Sequence, residues 1–312
     1  MKHDWRTTAL MILLFVVAQG VGLHIISQYV NTAESAATGT TIINEDKYFI
    51  QPPQVENESF SFIPILIAIL IGTALILLIA KFRKFGIWRA WFLLSIVISL
   101  SLAFAPYLTT LTDYLGLERS TGFIITGFIA LALGLLKIFK QNVIVHNITE
   151  IFVYGGIAAL FVPILNLTSA LILLLLISAY DAYAVWKSKH MVRLATFQAE
   201  SNLFAGLFIP KNVKKTAQTK SAAIRKAPKK ARAAQTGNAT HAVLGGGDIA
   251  FPLLFSGTVL KYTNSLSAAL LISLGATIAL AGLLVLSKKG RFYPAMPFIS
   301  AGCFTGFLLT LL

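Results

Sequence analysis

Carboxylates within long apolar segments are the residues of this sequence with the clearest potential for chemistry. Of the 12 acidic residues, only Glu150, Asp181 and Asp248 fall inside stretches apolar enough to cross a membrane. A charged group at mid-bilayer costs about 2.5–3.5 kcal/mol on insertion scales, so such positions are functional candidates. Two carboxylates that share a water can hydrolyse an amide, because the ionised one takes a proton from the water while the protonated one polarises the carbonyl.

Asp181 and Asp248 are predicted to lie at a similar depth on two different helices. Asp181 precedes Trp186 by five residues, which corresponds to roughly 8 Å from the cytoplasmic boundary at about 1.5 Å per helical residue. Asp248 follows His241 by seven residues, which gives about 10 Å by the same rise. Because these helices run in opposite directions, the sequence predicts that both carboxylates lie near the cytoplasmic side.

Three consecutive glycines precede Asp248. Gly245, Gly246 and Gly247 each weaken a helix by about 1 kcal/mol relative to alanine, but they let another chain approach the backbone closely. A helical substrate must unwind before it is cut, and its freed N–H and C=O groups then need partners that lipid does not supply. An extended glycine-rich backbone can accept such a substrate as an added strand. Tight helix packing is the alternative explanation of the glycines.

Repeated apolar runs predict the elements that position these residues. The 312-residue chain is 56% hydrophobic and 12% charged, whereas soluble domains carry roughly 25% charged residues. A spanning helix needs roughly 20 apolar residues. The sequence therefore predicts an all-α membrane protein with nine transmembrane helices. The nine segments are 8–26, 60–80, 90–108, 121–136, 142–161, 164–186, 241–260, 266–286 and 292–312.

The positions of the Lys and Arg residues predict the orientation of these helices. With a cytoplasmic N-terminus and alternating loops, all but three of the 26 Lys and Arg residues lie on the cytoplasmic side. The exceptions are Lys47, Arg119 and Lys261. Since cytoplasmic loops are enriched in basic residues, the distribution favours nine helices with the N-terminus cytoplasmic and the C-terminus outside. The same loops account for the net charge of +14, so no nucleic-acid partner is expected.

A basic, polar segment divides the chain. Residues 211–241 contain almost no large apolar side chain, which predicts a disordered cytoplasmic linker attracted to anionic lipid headgroups. Residues 191–209 mix apolar and charged side chains, which predicts an interfacial amphipathic helix. The expected organisation is an N-terminal six-helix bundle at 1–190, a basic cytoplasmic loop at 191–240 and a C-terminal three-helix part at 241–312.

Three short motifs resemble those of the GxGD intramembrane aspartyl proteases, the family of presenilins and signal peptide peptidases. The family signatures are Tyr-Asp in the sixth helix, Gly-x-Gly-Asp in the seventh and Pro-Ala-Leu at the ninth. Here they read Tyr180-Asp181, Gly245-Gly246-Gly247-Asp248 and Pro294-Ala295-Met296. The order of the motifs and the nine-span layout extend the resemblance over essentially the whole chain, which is most similar to an archaeal presenilin homologue.

The resemblance implies a presenilin-like fold in which Asp181 and Asp248 are the catalytic pair. Met296 departs from the leucine of the family, but Met and Leu have similar volumes and usually exchange for less than about 1.5 kcal/mol. The implied partners are transmembrane-helix protein substrates in the cell membrane, with no cofactor and no metal; a homo-oligomer stays open. The residues implied to shape the active site or bind substrate are Tyr180, Leu244, Gly245, Gly246, Gly247, Pro294, Ala295 and Met296.

Other functions fit parts of the pattern. A proton-coupled transporter or channel would use Asp181 and Asp248 as relays, although no inverted repeat is evident in the sequence. A non-catalytic scaffold that has kept the motifs is a third hypothesis. His146 and Glu150 lie four residues apart on one helix face, which indicates a structural polar pair more than a role near the active cavity. A zinc metalloprotease has little support, because the sequence contains no His-Glu-x-x-His.

Overall fold

The computed structural model is helical apart from one short two-stranded sheet. It describes residues 4–53, 58–140, 142–188, 197–198, 201, 203–210, 241–287 and 293–312. Within these ranges the helices are α1 (Trp5–Tyr29), α2 (Thr32–Thr38), α3 (Phe62–Lys81), α4 (Phe85–Tyr114), α5 (Arg119–Phe139), α6 (Val143–Phe161), α7 (Leu167–Tyr183), α8 (Gly246–Thr263), α9 (Leu266–Leu286) and α10 (Met296–Leu309). The strands are β1 (Gly206–Pro210) and β2 (His241–Gly245). Short 3₁₀ turns lie at Glu45–Lys47, Glu58–Phe60 and Val162–Ile164, and a π-helical turn, Ala184–Ser188, follows α7.

The prediction of an all-helical, multi-pass membrane protein is confirmed. In the described part of the chain, α1, α3, α4, α5, α6, α7 and α9 are long and apolar enough to cross a membrane. α8 is less apolar because it contains glycines, Asp248, Pro252 and Lys261, and α10 has only 14 residues. The count of nine spans and the orientation of the termini therefore stay predictions.

The predicted start of the seventh helix is wrong. Residues 241–245 form β2, and α8 begins only at Gly246. Extended residues advance about 3.3 Å each, so the helical rise used to estimate the depth of Asp248 does not apply to this segment. The glycines weaken the helix here, and backbone pairing with β1 supplies the hydrogen bonds that a helix would otherwise provide.

The predicted amphipathic helix at 191–209 is also wrong at its end. Gly206–Pro210 is the strand β1, which pairs antiparallel with β2 and places Gly206 opposite Gly245. A Cβ on Gly206 would lie 2.4 Å from the carbonyl oxygen of Leu244, so only glycine fits this close approach of the strands. Residues 191–196 and the predicted linker lie outside the described residues, except His241, the first residue of β2.

The two largest apolar clusters join most of the helices. The larger contains buried side chains from α1, α6, α7, α8, α9 and α10, and α1 packs against α6, α8 and α9. The second joins α4, α5 and α6 around Trp88, Phe92 and Ala130. α3 contacts mainly α4 and α7 and is exposed along most of its length. The elements that carry the predicted site therefore share the larger core.

Candidate active site

Asp248 lies in the first turn of α8, where Gly245 is the N-cap residue. Its half-buried carboxylate accepts a hydrogen bond from the backbone N–H of Gly245. A carboxylate at the third helical position that folds back onto the N-cap amide forms half of a capping box, and the helix N-terminus stabilises its negative charge. A Cβ on Gly245 would lie 3.1 Å from Oδ2 of Asp248, so glycine at this position leaves room for the carboxylate.

Asp181 lies in the last turn of α7 and contacts the N-terminus of another helix. The backbone N–H of Met296, the first residue of α10, donates a hydrogen bond to Oδ2 of Asp181 with an N···O distance of 3.1 Å. The backbone N–H of Ala295 also donates to this carboxylate. One turn earlier on α7, the hydroxyls of Ser178 and Ser300 are 2.6 Å apart and share a hydrogen bond that joins α7 to α10.

The structure brings the two aspartates together. Asp181 lies close enough to Asp248 to act on it electrostatically. α7 packs against both α8 and α10, and Ile177, Ile249 and Met296 belong to the same buried cluster. Two neighbouring carboxylates do not ionise independently, so the pair can hold one proton while the other carboxylate carries the charge. This is the protonation state that an activated-water hydrolysis requires.

The predicted Gly-Gly-Gly-Asp motif is divided between a strand and a helix. Leu244 is buried in β2 opposite Leu207, and Gly245 ends the strand. Gly246 begins α8 next to the hydroxyl end of Tyr154. A Cβ on Gly246 would lie 3.1 Å from the Tyr154 hydroxyl oxygen. Gly247 is exposed. The motif thus forms the junction between the sheet and the helix that carries Asp248.

The Pro-Ala-Met segment lies on the other side of the pair. Pro294 is buried, Ala295 is the N-cap residue of α10, and Met296 is buried as its first residue. Through its backbone amides this segment contacts Asp181 of the Tyr-Asp motif. Tyr180 is half-buried next to Asp181 on α7.

His146 and Glu150 have separate partners instead of forming a pair with each other. Glu150 forms an ion pair with Lys137 of α5, and both side chains are buried. His146 is hydrogen-bonded to the carbonyl oxygen of Gly206 in β1 at 2.8 Å. The predicted fourth segment, 121–136, leaves Lys137 among the cytoplasmic loop charges. This expectation is wrong, because Lys137 lies inside α5 and is neutralised by a carboxylate from α6.

Sequence reasoning missed a polar contact that holds the start of α8. The side-chain amide nitrogen Nε2 of Gln19 in α1 donates a hydrogen bond to the carbonyl oxygen of Ile249 at 2.9 Å. The hydroxyl of Ser273 in α9 donates in turn to Gln19 Oε1 at 3.4 Å. A buried glutamine inside an apolar spanning helix was the available signal, since polar groups in such helices need partners from neighbouring helices.

Among the residues that the structure describes, no group of three or more His, Cys, Asp and Glu side chains is arranged to hold a metal ion.

The fold and this site define a multi-pass helical membrane protein with a coupled pair of carboxylates inside its helical bundle. The family described as "Signal-peptide peptidase, presenilin aspartyl protease" matches residues 13–312. The chain therefore belongs to the presenilin and signal peptide peptidase family of aspartyl proteases. This confirms the resemblance that the three sequence motifs indicated.

Two solved structures share the fold. One is described as a presenilin family intramembrane aspartate protease in the C222 space group; it is 19% identical, has a TM-score of 0.58 and aligns over 98% of this chain and 99% of that chain. The other, described in the same words in the P2 space group, is also 19% identical with a TM-score of 0.58, over 99% of each chain. No curated protein matches this chain in sequence.

Proposed function

We propose that this protein is an intramembrane aspartyl endopeptidase that hydrolyses peptide bonds within the transmembrane segments of membrane proteins. The observation that carries the proposal is the placement of Asp181, bound by the N-terminal amides of α10, within electrostatic range of Asp248 in the first turn of α8. The ionised aspartate takes a proton from a water held between the pair, and the resulting hydroxide attacks the scissile carbonyl. The protonated aspartate donates its proton to the carbonyl oxygen. As the tetrahedral intermediate collapses and its C–N bond breaks, the aspartate that took the proton from water gives it to the leaving amine, and the other aspartate recovers its own proton.

The open edge of β2 is the proposed docking site for the unwound substrate. In the described part of the chain, β2 pairs only with β1, so its opposite edge has no strand partner. Val243 is exposed at this edge, and the strand continues through Gly245 directly into the turn that carries Asp248. A substrate strand paired here satisfies its own backbone groups and brings its carbonyls to the aspartates.

The proposed topology places the active site in a nine-span protein of the cell membrane. The N-terminus is cytoplasmic and the C-terminus is outside, as the distribution of Lys and Arg favours. α8 and α10 complete the nine spans. The N-terminal bundle at 1–190 supplies Asp181, and the C-terminal part at 241–312 supplies Asp248. This orientation selects substrates whose N-terminus is outside; a reporter fused to the C-terminus that reads cytoplasmic would contradict it.

The enzymatic proposal is tested with purified protein in detergent and a single-span membrane peptide, with products identified by mass spectrometry. Asp181→Asn and Asp248→Asn should each abolish cleavage, and the double variant should lose no more, because the two residues act as a unit. Asp113→Asn is the matched control. Asp113 is an exposed aspartate that forms an ion pair with Arg119, and both residues lie outside the site. Cleavage that survives in either active-site variant would refute the proposal. Ion transport without any cleavage would favour the transporter hypothesis.

A further inference from the structure

One face of α6 carries polar side chains and is called the α6 polar face; its ends lie against the sheet and against the glycines that precede Asp248. Its residues are His146, Asn147, Glu150 and Tyr154. His146, Glu150 and Tyr154 follow one another at intervals of four residues, which places them in one row along the helix. His146 and Asn147 bind the backbone of β1, and Tyr154 lies against Gly246. A polar row inside a spanning helix is costly unless its groups are satisfied. Here the sheet supplies partners for His146 and Asn147, and Lys137 of α5 supplies the partner of Glu150.

Asn147 binds one backbone residue of β1 at two points. Its Nδ2 donates to the carbonyl oxygen of Phe208 at 2.7 Å, and its Oδ1 accepts from the N–H of Phe208 at 2.8 Å. Only one orientation of the side-chain amide satisfies both bonds. The pattern is the one that a residue of a neighbouring antiparallel strand would make, because such a residue also exchanges two hydrogen bonds with its partner.

His146 binds the same edge of β1 two residues before Phe208, at Gly206. Its Nε2–H donates to the carbonyl oxygen of Gly206 at 2.8 Å, and the nitrogen must carry the proton because a carbonyl oxygen only accepts. Gly206 and Phe208 are two residues apart, so their backbone groups face the same edge of the strand. Side chains of α6 therefore occupy the edge of β1 that a third strand would otherwise use.

The anchored strand determines where the turn before Asp248 lies. Because Phe208 faces α6, the alternate residues Leu207 and Ile209 face β2, opposite Leu244 and Ala242. At the end of the sheet, the N–H of Gly246 donates to the carbonyl oxygen of Ala205 at 3.2 Å. Any displacement of β1 along its own axis therefore moves the backbone that begins α8.

The buried ion pair between Glu150 and Lys137 opposes rotation of α6 about its axis. Glu150 lies one turn from His146 and binds Lys137 of the neighbouring α5. Rotation of α6 that withdrew Asn147 from β1 would also separate these two buried charges. A continuous series of polar contacts therefore links α5 to α6, α6 to β1, and the sheet to the start of the helix that carries Asp248.

We propose that Asn147, assisted by His146, is a positioning residue that fixes the register of β1 and β2 and thereby the peptide bond presented to Asp181 and Asp248. The proposal rests on the proteolytic function proposed above. Asn147 acts through the strand and touches neither the substrate nor the reacting atoms. Its loss should lower the turnover number and broaden the set of cleaved bonds, because a strand whose register is weakly specified can slip along its partner.

The test compares three variants of the full-length protein in detergent. Asn147→Leu keeps the approximate size of the side chain and removes both hydrogen bonds, whereas Asn147→Asp keeps the acceptor for the Phe208 N–H. Thr149→Val is the matched control: Thr149 is a buried residue of the same helix, and its hydroxyl binds only the carbonyls of Val145 and His146. Hydrogen exchange of Gly206–Pro210 and His241–Gly245 is measured alongside kcat, KM and the product masses for the single-span peptide.

In Asn147→Leu, we expect exchange of both strands to accelerate by about 30-fold, as the loss of two net hydrogen bonds implies. The value of kcat should fall by a similar factor with little change in KM, and products from neighbouring peptide bonds should form. Asn147→Asp should recover part of the rate and of the product specificity, and Thr149→Val should behave as the parent.

Two results would overturn the inference. One is unchanged exchange of β1 and β2 in Asn147→Leu; the other is a rate loss with the product pattern of the parent, which would indicate general destabilisation. The exchange measurement needs no substrate, so it decides the inference about the sheet even if the parent protein cleaves nothing. Absence of cleavage by the parent would refute the proposed function separately.

Discussion

Removal of one partner from the buried ion pair between Lys137 and Glu150 should strongly destabilise the protein. The two side chains are only 1% and 2% exposed, so neither charge is solvated by water when its partner is lost. An exposed pair would contribute about 0–1 kcal/mol. For a buried pair, removal of one partner costs about 3–5 kcal/mol because an uncompensated charge remains. We therefore expect Lys137→Met to lower the free energy of unfolding by about 3–5 kcal/mol, and Glu150→Leu to do the same.

The double variant separates the cost of the orphaned charge from the contribution of the pair. Replacement of both partners of a buried ion pair by apolar residues is often neutral or stabilising. Lys137→Met combined with Glu150→Leu should therefore regain most of the loss, and a near-neutral double variant gives a coupling free energy of about 6–10 kcal/mol. Lys140→Met is the control, since Lys140 is exposed at the end of the same helix and its replacement should change stability by less than about 0.5 kcal/mol.

The measurement is reversible unfolding in detergent, followed by the fluorescence of the tryptophans and extrapolated to zero denaturant. The parent, the two single variants and the double variant form a complete double-mutant cycle, and the Lys140→Met control is measured beside it. The reasoning is refuted if Lys137→Met unfolds like the parent, or if the double variant is as unstable as the sum of the two single changes. Either outcome would mean that the charges are solvated or compensated elsewhere.

Two further predictions concern helix contacts near the site. A Cβ on Gly302 would lie 2.3 Å from the carbonyl oxygen of Gly275, so Gly302→Ala should separate α9 from α10 and cost about 1–3 kcal/mol in thermal or chemical unfolding. Gly282→Ala on α9 meets no atom within 4 Å and should be neutral or stabilising by about 0.5–1 kcal/mol; equal destabilisation by both changes would contradict the packing argument. Ser178→Ala removes the 2.6 Å hydrogen bond to Ser300 and should cost about 1 kcal/mol. A double-mutant cycle with Ser300→Ala that shows no coupling would argue against this contact.

Most of the helices and both aspartates were predictable from local sequence. Long apolar runs such as those of α4 and α9 have few alternatives to a spanning helix, because lipid offers no partner for backbone groups. Asp181 and Asp248 were identified by their presence in such runs and by the short motifs around them. The helix that carries each aspartate was predicted correctly, although α8 begins later than expected.

The contacts that hold the site were not predictable in the same way. The glycine segment before Asp248 is compatible with a weak helix or an extended chain, and pairing with the distant β1 decides for the strand. The predicted segment 121–136 leaves Lys137 in a loop, and nothing in the local sequence shows that Glu150 on the next helix neutralises it. Asn147 carried no signal, since its value depends entirely on the backbone of Phe208 lying opposite.

The amino-acid sequence by itself determined that the chain is a helical membrane protein and that three of its carboxylates, Glu150, Asp181 and Asp248, lie within apolar segments. These properties follow from hydropathy and side-chain type, which act residue by residue along the chain. Tertiary structure alone decided which amides face the carboxylates, which edge of the sheet is open and which charges neutralise each other. Those features depend on distances between residues far apart in the chain, and only the packed helices define such distances.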